Sequence, residues 1–210
     1  MDIAVNLVEN YLRVNGYLTL SEFEVQRRVK GGHYKTVTDV DIMAVRFPGD
    51  VFIGDPQHDR DAELLLIEDP ILQLEKTTID VVIGEVKQGQ AELNQNIKDH
   101  AVLHTMLHRI EWLYGVPLHE VITSLQRKSV HTAPSCGKGD IRTRLVAFGR
   151  SDVIDRNTVS LSHIVRTMIG FMGDHEDALK PIQFKEPAPA MLRLLMKAGF
   201  SVEKETDSGT

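Results

Sequence analysis

Residues 78–86, TIDVVIGEV, constrain the fold more than any other stretch of this chain. Ile79, Val81 and Ile83 share one parity, while Val82 and Val86 fall on the other. A strand with apolar side chains on both faces must be covered on both sides. That condition is met in a sheet with helices packed on it.

The surrounding pattern agrees. Residues 3–14 read as a helix with a broad apolar face (Ile3, Val5, Leu7, Val8, Tyr11, Leu12, Val14), stopped by Asn15-Gly16. Residues 17–25 and 36–47 read as strands, joined through the basic, flexible Lys30–His33 turn and closed by Pro48-Gly49. An acidic connection follows, with a short strand at 51–53 and a helix or edge strand at 62–75. Beyond the central strand, residues 90–113 give the longest helical pattern, with Leu103, Met106, Leu107, Ile110 and Leu113 on one stripe. A second helix is expected at 117–127, a loop at 133–139, a strand at 141–148 and a helix at 161–172. Pro187 and Pro189 precede a short helix at 190–198, and residues 206–210 read as a frayed tail. The order α-β-β-β-α-β-α implies a mixed sheet flanked by helices, not a doubly wound one.

A chain of 210 residues, 42% hydrophobic and 26% charged, holds one domain or one domain with a small appendage, and is neither disordered nor fibrous. The longest apolar stretches, Leu64–Ile67 and Ile79–Gly84, fall far short of the ~18 residues of a membrane span. The opening Met1-Asp-Ile-Ala lacks the basic region and apolar block of a signal peptide, so a cytoplasmic location is expected. The single cysteine, Cys136, makes neither an internal disulfide nor a zinc cluster by itself and reads as a bystander.

The net charge of −6 argues against a protein coated in basic residues, yet the charge is uneven. Residues 26–35 carry Arg27, Arg28, Lys30 and Lys35 with no acid. Residues 127–150 carry Arg127, Lys128, Lys138, Arg142, Arg144 and Arg150 against Asp140. Residues 50–75 carry eight acids against Arg60 alone. A local basic surface on an acidic body can contact phosphates, and solvated loops would carry the same charges.

Two strands bear charges that an interior tolerates only when they are paired, hydrogen-bonded or metal-bound. With period-two alternation, Asp39 and Asp41 project on one side of the strand VTDVDIMAV, and Glu85 and Lys87 share a face at the end of the central strand. If the strands are neighbours, these carboxylates and one ammonium meet, a set that suits a hard cation such as Mg²⁺. The alternative is that Asp39 is a turn or edge residue and Glu85–Lys87 a surface pair.

An Asp in a strand of form D-I-x-A-V, then a hydrophobic strand ending E-V-K, resembles the PD-(D/E)xK restriction-endonuclease-like superfamily. The opening ENYLRVNGYLTLSEFEV is similar to that of Holliday-junction resolvase-like small nucleases, and RTRLVAFG with LSHIVRTMI would complete an αβββαβ core. The likeness spans roughly residues 3–172. It implies a nuclease-like domain over 1–172 and a C-terminal helical extension over 173–210. It further implies that Asp41, Glu85 and the main-chain carbonyl of Val86 hold Mg²⁺, with Mn²⁺ as a substitute. Lys87 would orient or activate the attacking water and stabilise phosphate charge. Arg27, Arg28, Lys30 and Lys35 would contact the backbone of nucleic acid, DNA in preference to RNA, and a homodimer would suit cutting of two strands.

Val40 stands where the family name has its proline. A helical Glu often completes such sites, and Glu9 is the candidate here, placed with Asn6 and Arg13 on the polar face of the first helix. Gln90 and Gln95 follow the lysine, but Asp99 or His100 occupies the position where some relatives have a Tyr. The implied activity is metal-dependent phosphodiester hydrolysis. The alternative is a nuclease-fold protein that no longer cleaves and serves as a binding module.

His100, His104 and His108 fall at i, i+4 and i+8, a spacing compatible with metal ligation or phosphate contact, but the apolar stripe lies opposite them and Glu111 joins their side, so they read as a solvated helix face. Used as ligands, they would suit a non-nuclease metal phosphohydrolase. Residues 135–140 (SCGKGD) do not match a phosphate-binding loop and read as mobile, and DPQHDRD at 55–61 reads as a solvated acidic loop.

Overall fold

The computed structural model describes residues 2–49, 67–153, 155, 157–179 and 184–201. The chain begins with helix α1 (Ile3–Val14), capped by the Asp2 carboxylate, which accepts from the Ala4 N–H. Asn15 and Gly16 stop it, with Gly16 at φ +85°. A long hairpin follows: β1 (Leu18–Arg28) and β2 (Tyr34–Arg46), paired antiparallel. Strand β3 (Ile79–Gln90) pairs antiparallel with β2 and parallel with β5 (Asp140–Arg150). Edge strand β4 (Val130–Pro134) and the short β6 (Thr158–Ser160) both pair with β5. The main sheet order is β1-β2-β3-β5-β4, a mixed sheet.

Helices cover both faces, as the central strand requires. On one face, α2 (His100–Leu107) and α3 (Leu118–Lys128) bury Val102, Leu103, Met106, Val121, Ile122 and Leu125 against Val40, Met43, Val81, Ile83 and Leu145. On the other, α1 and α4 (Leu161–Asp174) bury Val8, Tyr11, Leu12, Ile164 and Met168 against Ile42, Ala44, Val82, Val146 and Phe148. Short helix α5 (Glu176–Leu179) leads toward α6 (Pro187–Lys197), which packs on α1 and α4.

Some elements differ from the sequence expectation. The single helix expected over 90–113 is divided. β3 runs to Gln90, a 3-10 turn spans Gln95–Lys98, α2 covers eight residues, and 3-10 geometry continues through His108–Leu113. Asn94 and Asp99 are the cause: each is extended, and its side chain accepts a backbone N–H two residues on. The expected 133–139 loop contains the end of β4. The strand at 51–53, the acidic loop at 55–61, residues 62–66 and the tail at 206–210 lie outside the described residues, and the rest of the segment at 62–75 holds a 3-10 turn at Pro70–Leu72 in place of a helix or edge strand.

The basic window at 127–150 is not one surface. Arg142 and Arg144 are 5% and 0% exposed and converge on Asp80, itself 2% exposed, on the neighbouring parallel strand. Arg142 Nε bonds one carboxylate oxygen of Asp80, and Arg144 Nη2 bonds the other at 2.7 Å. The Tyr17 hydroxyl donates to the same oxygen, and Arg142 also donates to the Leu72 and Gln73 carbonyls. Burial alone would raise the proton affinity of Asp80, but Arg144 and Arg142 outweigh it and hold the carboxyl below the usual range.

A depressed carboxyl pKa stabilises the fold above the unfolded value of about 4, and that contribution is lost as pH falls through the folded value. Asp80→Asn should cost about 3–5 kcal/mol, because two buried guanidinium groups lose their counter-charge. Denaturant unfolding at neutral pH measures that cost. The same titration repeated on the acid side should show a smaller pH-dependent loss in the variant than in the wild type.

Candidate functional site

The site lies where β2 and β3 part. Their pairing ends at Ile42–Gly84, yet both strands continue beyond it, β2 with β1 and β3 with β5. Gly84 sets this vertex. A Cβ there would lie 2.6 Å from Ile42 Cγ2 and 2.7 Å from Phe148 Cε2, both on fully buried side chains. Only glycine lets the three strands approach so closely one residue before Glu85.

The hairpin also rolls over here. Strict alternation would keep Val40 and Ile42 on one face, but Val40 packs under α2 whereas Ile42 packs under α1. Across the pair, Thr19 and Ser21 bond to Glu9 of α1 while Phe23 packs on the α2 side. Glu22, at the turning point, has φ +52°, and the ladder runs from Ser21–Ile42 to Phe23–Val40 without a Glu22–Asp41 pair. Period-two alternation therefore breaks at Asp41, which is half-buried, while Asp39 is exposed. Irregularities of this kind re-aim a side chain beside a ladder.

Asp41 is thereby turned toward β3, where its Oδ2 accepts the Val86 N–H at 2.7 Å. The bond bridges the two strands just past their last pair. Burial, chiefly, raises the Asp41 pKa, with Asp39 and Asp2 adding to the shift and the Val86 N–H and Lys87 opposing it. Glu85 is 5% exposed, and its Oε1 meets Lys87 Nζ at 2.7 Å, so the two do share a face. Burial raises the Glu85 pKa too, and Asp41 adds to it against the Lys87 bond. Lys87 is held more firmly protonated than usual, first by its bond to Glu85. Asp41, Glu85 and Lys87 are thus electrostatically coupled across the two strands.

Glu9 is placed differently from the expectation of a solvated polar face. It is 3% exposed and bonds Arg13 at 2.8 Å, Thr19 Oγ1 at 3.0 Å and Ser21 Oγ at 3.3 Å. Its neighbours on that face are covered by the segment leading into α6: Glu186 bonds Asn10 and Arg13, and the Ala188 N–H donates to Asn6. Glu9 anchors α1 to β1. Asp2, the cap ahead of α1, is the acid from this end of the chain that acts on Asp41. Its Oδ1 caps the helix, its Oδ2 accepts from Gln88 Nε2 at 3.0 Å, and its charge raises the Asp41 pKa. The sequence signal for it was the cap position ahead of the apolar run.

Arg27, Arg28, Lys30 and Lys35 are exposed around the tip of the β1–β2 hairpin, with Arg27 opposite Lys35. Lys35 lies six positions along the strand from Asp41, roughly 20 Å at the usual rise. Arg27 also pairs with Asp99, the α2 cap, at 3.2 Å. His100, His104 and His108 are exposed, stacked at 6.1 and 5.5 Å. Residues 135–139 form a closed turn in which Ser135 Oγ donates to the Gly139 carbonyl, and Cys136 Sγ donates to the Tyr114 carbonyl. Among the described residues, no three His, Cys, Asp or Glu side chains already stand as a metal-binding group, and no helix is long and apolar enough to cross a membrane.

No family model matches the chain, and no curated protein or solved structure is significantly similar to it.

Gly84→Ala tests the vertex. The added methyl should destabilise the protein by about 1–3 kcal/mol, as overpacking does. Gly89→Ala, where a Cβ meets nothing within 4 Å, should stay within about 0.5 kcal/mol of the wild type in the same unfolding assay.

Proposed function

We propose that the protein is a metal-dependent nuclease with a restriction-endonuclease-like core of the PD-(D/E)xK type, acting on DNA. The observation that carries the reading is the meeting of Asp41 with the Glu85-Val86-Lys87 segment where β2 and β3 part. The element order supports it as well: a helix, three antiparallel strands, helices, the edge strand β4, then β5 parallel to the third strand.

The donor set fits a hard divalent cation. Asp41 and Glu85 offer desolvated carboxylate oxygens that repel each other, and the main-chain carbonyl of Val86 lies between Glu85 and Lys87 in sequence. These three would hold Mg²⁺ or Mn²⁺, which supplies a nucleophile at neutral pH and neutralises charge on the phosphate. Lys87, held as an ammonium by Glu85, stabilises negative charge developing on the phosphate oxygens. Arg27, Arg28, Lys30 and Lys35 reach the DNA backbone about 20 Å along the hairpin, positioning the duplex without reading its sequence. The net charge of −6 favours a second reading, a nuclease-fold module that binds without cutting.

Two measurements separate the readings. Mg²⁺ or Mn²⁺ should raise the melting temperature by mass action, and Asp41→Asn should largely abolish that rise. An equal rise in the variant would place the metal elsewhere. In a time course on supercoiled and branched DNA, Lys87→Ala should keep the metal-dependent stabilisation but slow cleavage by a factor on the order of 10² or more. Binding without cleavage by the wild type would select the inactive module, and equal cutting by the variant would remove Lys87 from the mechanism.

A further inference from the structure

The exposed histidines of α2 lie apart from the groups coupled at the strand divergence and form an ordered array. His104 and His108 are one helical turn apart, their ring centroids 5.5 Å apart and their planes 12° from parallel. His100 stacks on His104 one turn earlier, at 6.1 Å and 20°. Neither His100 nor His104 makes a hydrogen bond to protein among the described residues, so their ring nitrogens face solvent.

His108 carries a second feature. Its Nδ1 lies 2.6 Å from Glu111 Oε2 in the 3-10 turn that follows α2. An ionised carboxylate only accepts, so Nδ1 bears the hydrogen and the lone pair of a neutral ring is on Nε2. A histidine whose far nitrogen is oriented by a carboxylate is the usual arrangement of a metal-bound imidazole. Arg109, the neighbouring cation, is turned away and lies over the Phe23 ring at 4.1 Å.

We propose that His104 and His108 form a chelate for a divalent transition-metal ion of the zinc, nickel and copper class. Two histidines at i, i+4 on one helix face can share such an ion after small side-chain rotations. Imidazole nitrogen selects these ions, whereas the carboxylate and carbonyl oxygens around Asp41 select Mg²⁺ or Mn²⁺. The array is a two-nitrogen site completed by water, since the three rings stand in a row and do not converge. Its position gives it a consequence. His108 is the C-terminal cap of α2, and Ile110, two residues on, leaves helical geometry at φ −124° and ψ 16°. An ion held by His104 and His108 clamps the last turn of α2 to this kink.

The test is titration of Zn²⁺, and separately Ni²⁺, into the full chain by calorimetry, with melting temperature as a second readout. The side chains of His100, His104, His108 and Glu111 are exposed, and circular dichroism of each variant, Asp41→Asn included, should match the wild type. The wild type should bind Zn²⁺ and melt higher with it. His104→Ala and His108→Ala should each weaken binding on the order of tenfold or more, and the double variant should lose the thermal shift. Glu111→Gln should weaken binding less, and His100→Ala least, because its ring is the farther rung. Asp41→Asn should bind Zn²⁺ as the wild type does, which keeps this site separable from the proposed nuclease centre. Unchanged Zn²⁺ binding in the double variant, its loss in Asp41→Asn, or no binding by the wild type would overturn the proposal.

Discussion

The contact of Gly84 with Ile42 and Phe148 is the constraint on which the rest of the structure turns. It lets β2, β3 and β5 come within side-chain contact across a residue that has no side chain, and there the β2–β3 ladder ends. Immediately beyond, β2 rolls to the other face of the sheet and β3 follows β5. The main chain that would have paired across the gap is met instead by the Asp41 carboxylate on Val86 N–H. A sheet that stayed flat here would leave Asp41 on an ordinary strand face, and the carboxylates would not couple.

Strand β3 carries two buried acids five residues apart, with opposite electrostatics. Asp80 is met by two guanidinium groups and a phenol, and its pKa is depressed. Glu85 has one partly exposed ammonium and a second carboxylate nearby, and its pKa is raised. Both are desolvated, so the difference lies in how completely each charge is answered. Asp80 holds β3 to β5 and to Tyr17, just ahead of β1. Glu85 keeps an unanswered share of negative charge at the place where the sheet opens. A satisfied buried acid reads as structure, and an under-satisfied one coupled to a second acid marks a candidate site.

This contrast also explains what the sequence could convey. The two-faced strand, the Asn15-Gly16 stop and the Glu85–Lys87 spacing are local facts, and each appears in the structure in its expected place. The partners of Arg142 and Arg144 are not local. Asp80 lies more than sixty positions away, and a basic window cannot reveal that its central residues face inward. The polar face of α1 misleads for the same reason, because the α6 segment that covers Asn6 and satisfies Asn10 and Arg13 is some 180 residues distant. The division of 90–113 is written in Asn94 and Asp99, two capping residues that lie inside a continuous apolar stripe. Strand β4, five residues ending in a proline, has the marks of an edge strand and lacks the length to stand out.

The state of Lys87 bears on how the proposed chemistry would run. A lysine that activates water must first give up its proton, and here the bond to Glu85 and the nearby charges of Asp41 and Glu92 all hold that proton in place. Deprotonation would also leave Glu85 with its raised proton affinity and no counter-charge, so the two groups resist it together. The role this geometry favours is therefore electrostatic: a fixed positive charge beside the phosphate, with the nucleophile's proton going elsewhere. Asp41 and Glu85 would hold the cation, and Glu85 Oε1 is also the oxygen that meets Lys87 Nζ. The Val86 N–H anchors Oδ2 of Asp41 and so fixes this carboxylate where β2 and β3 part.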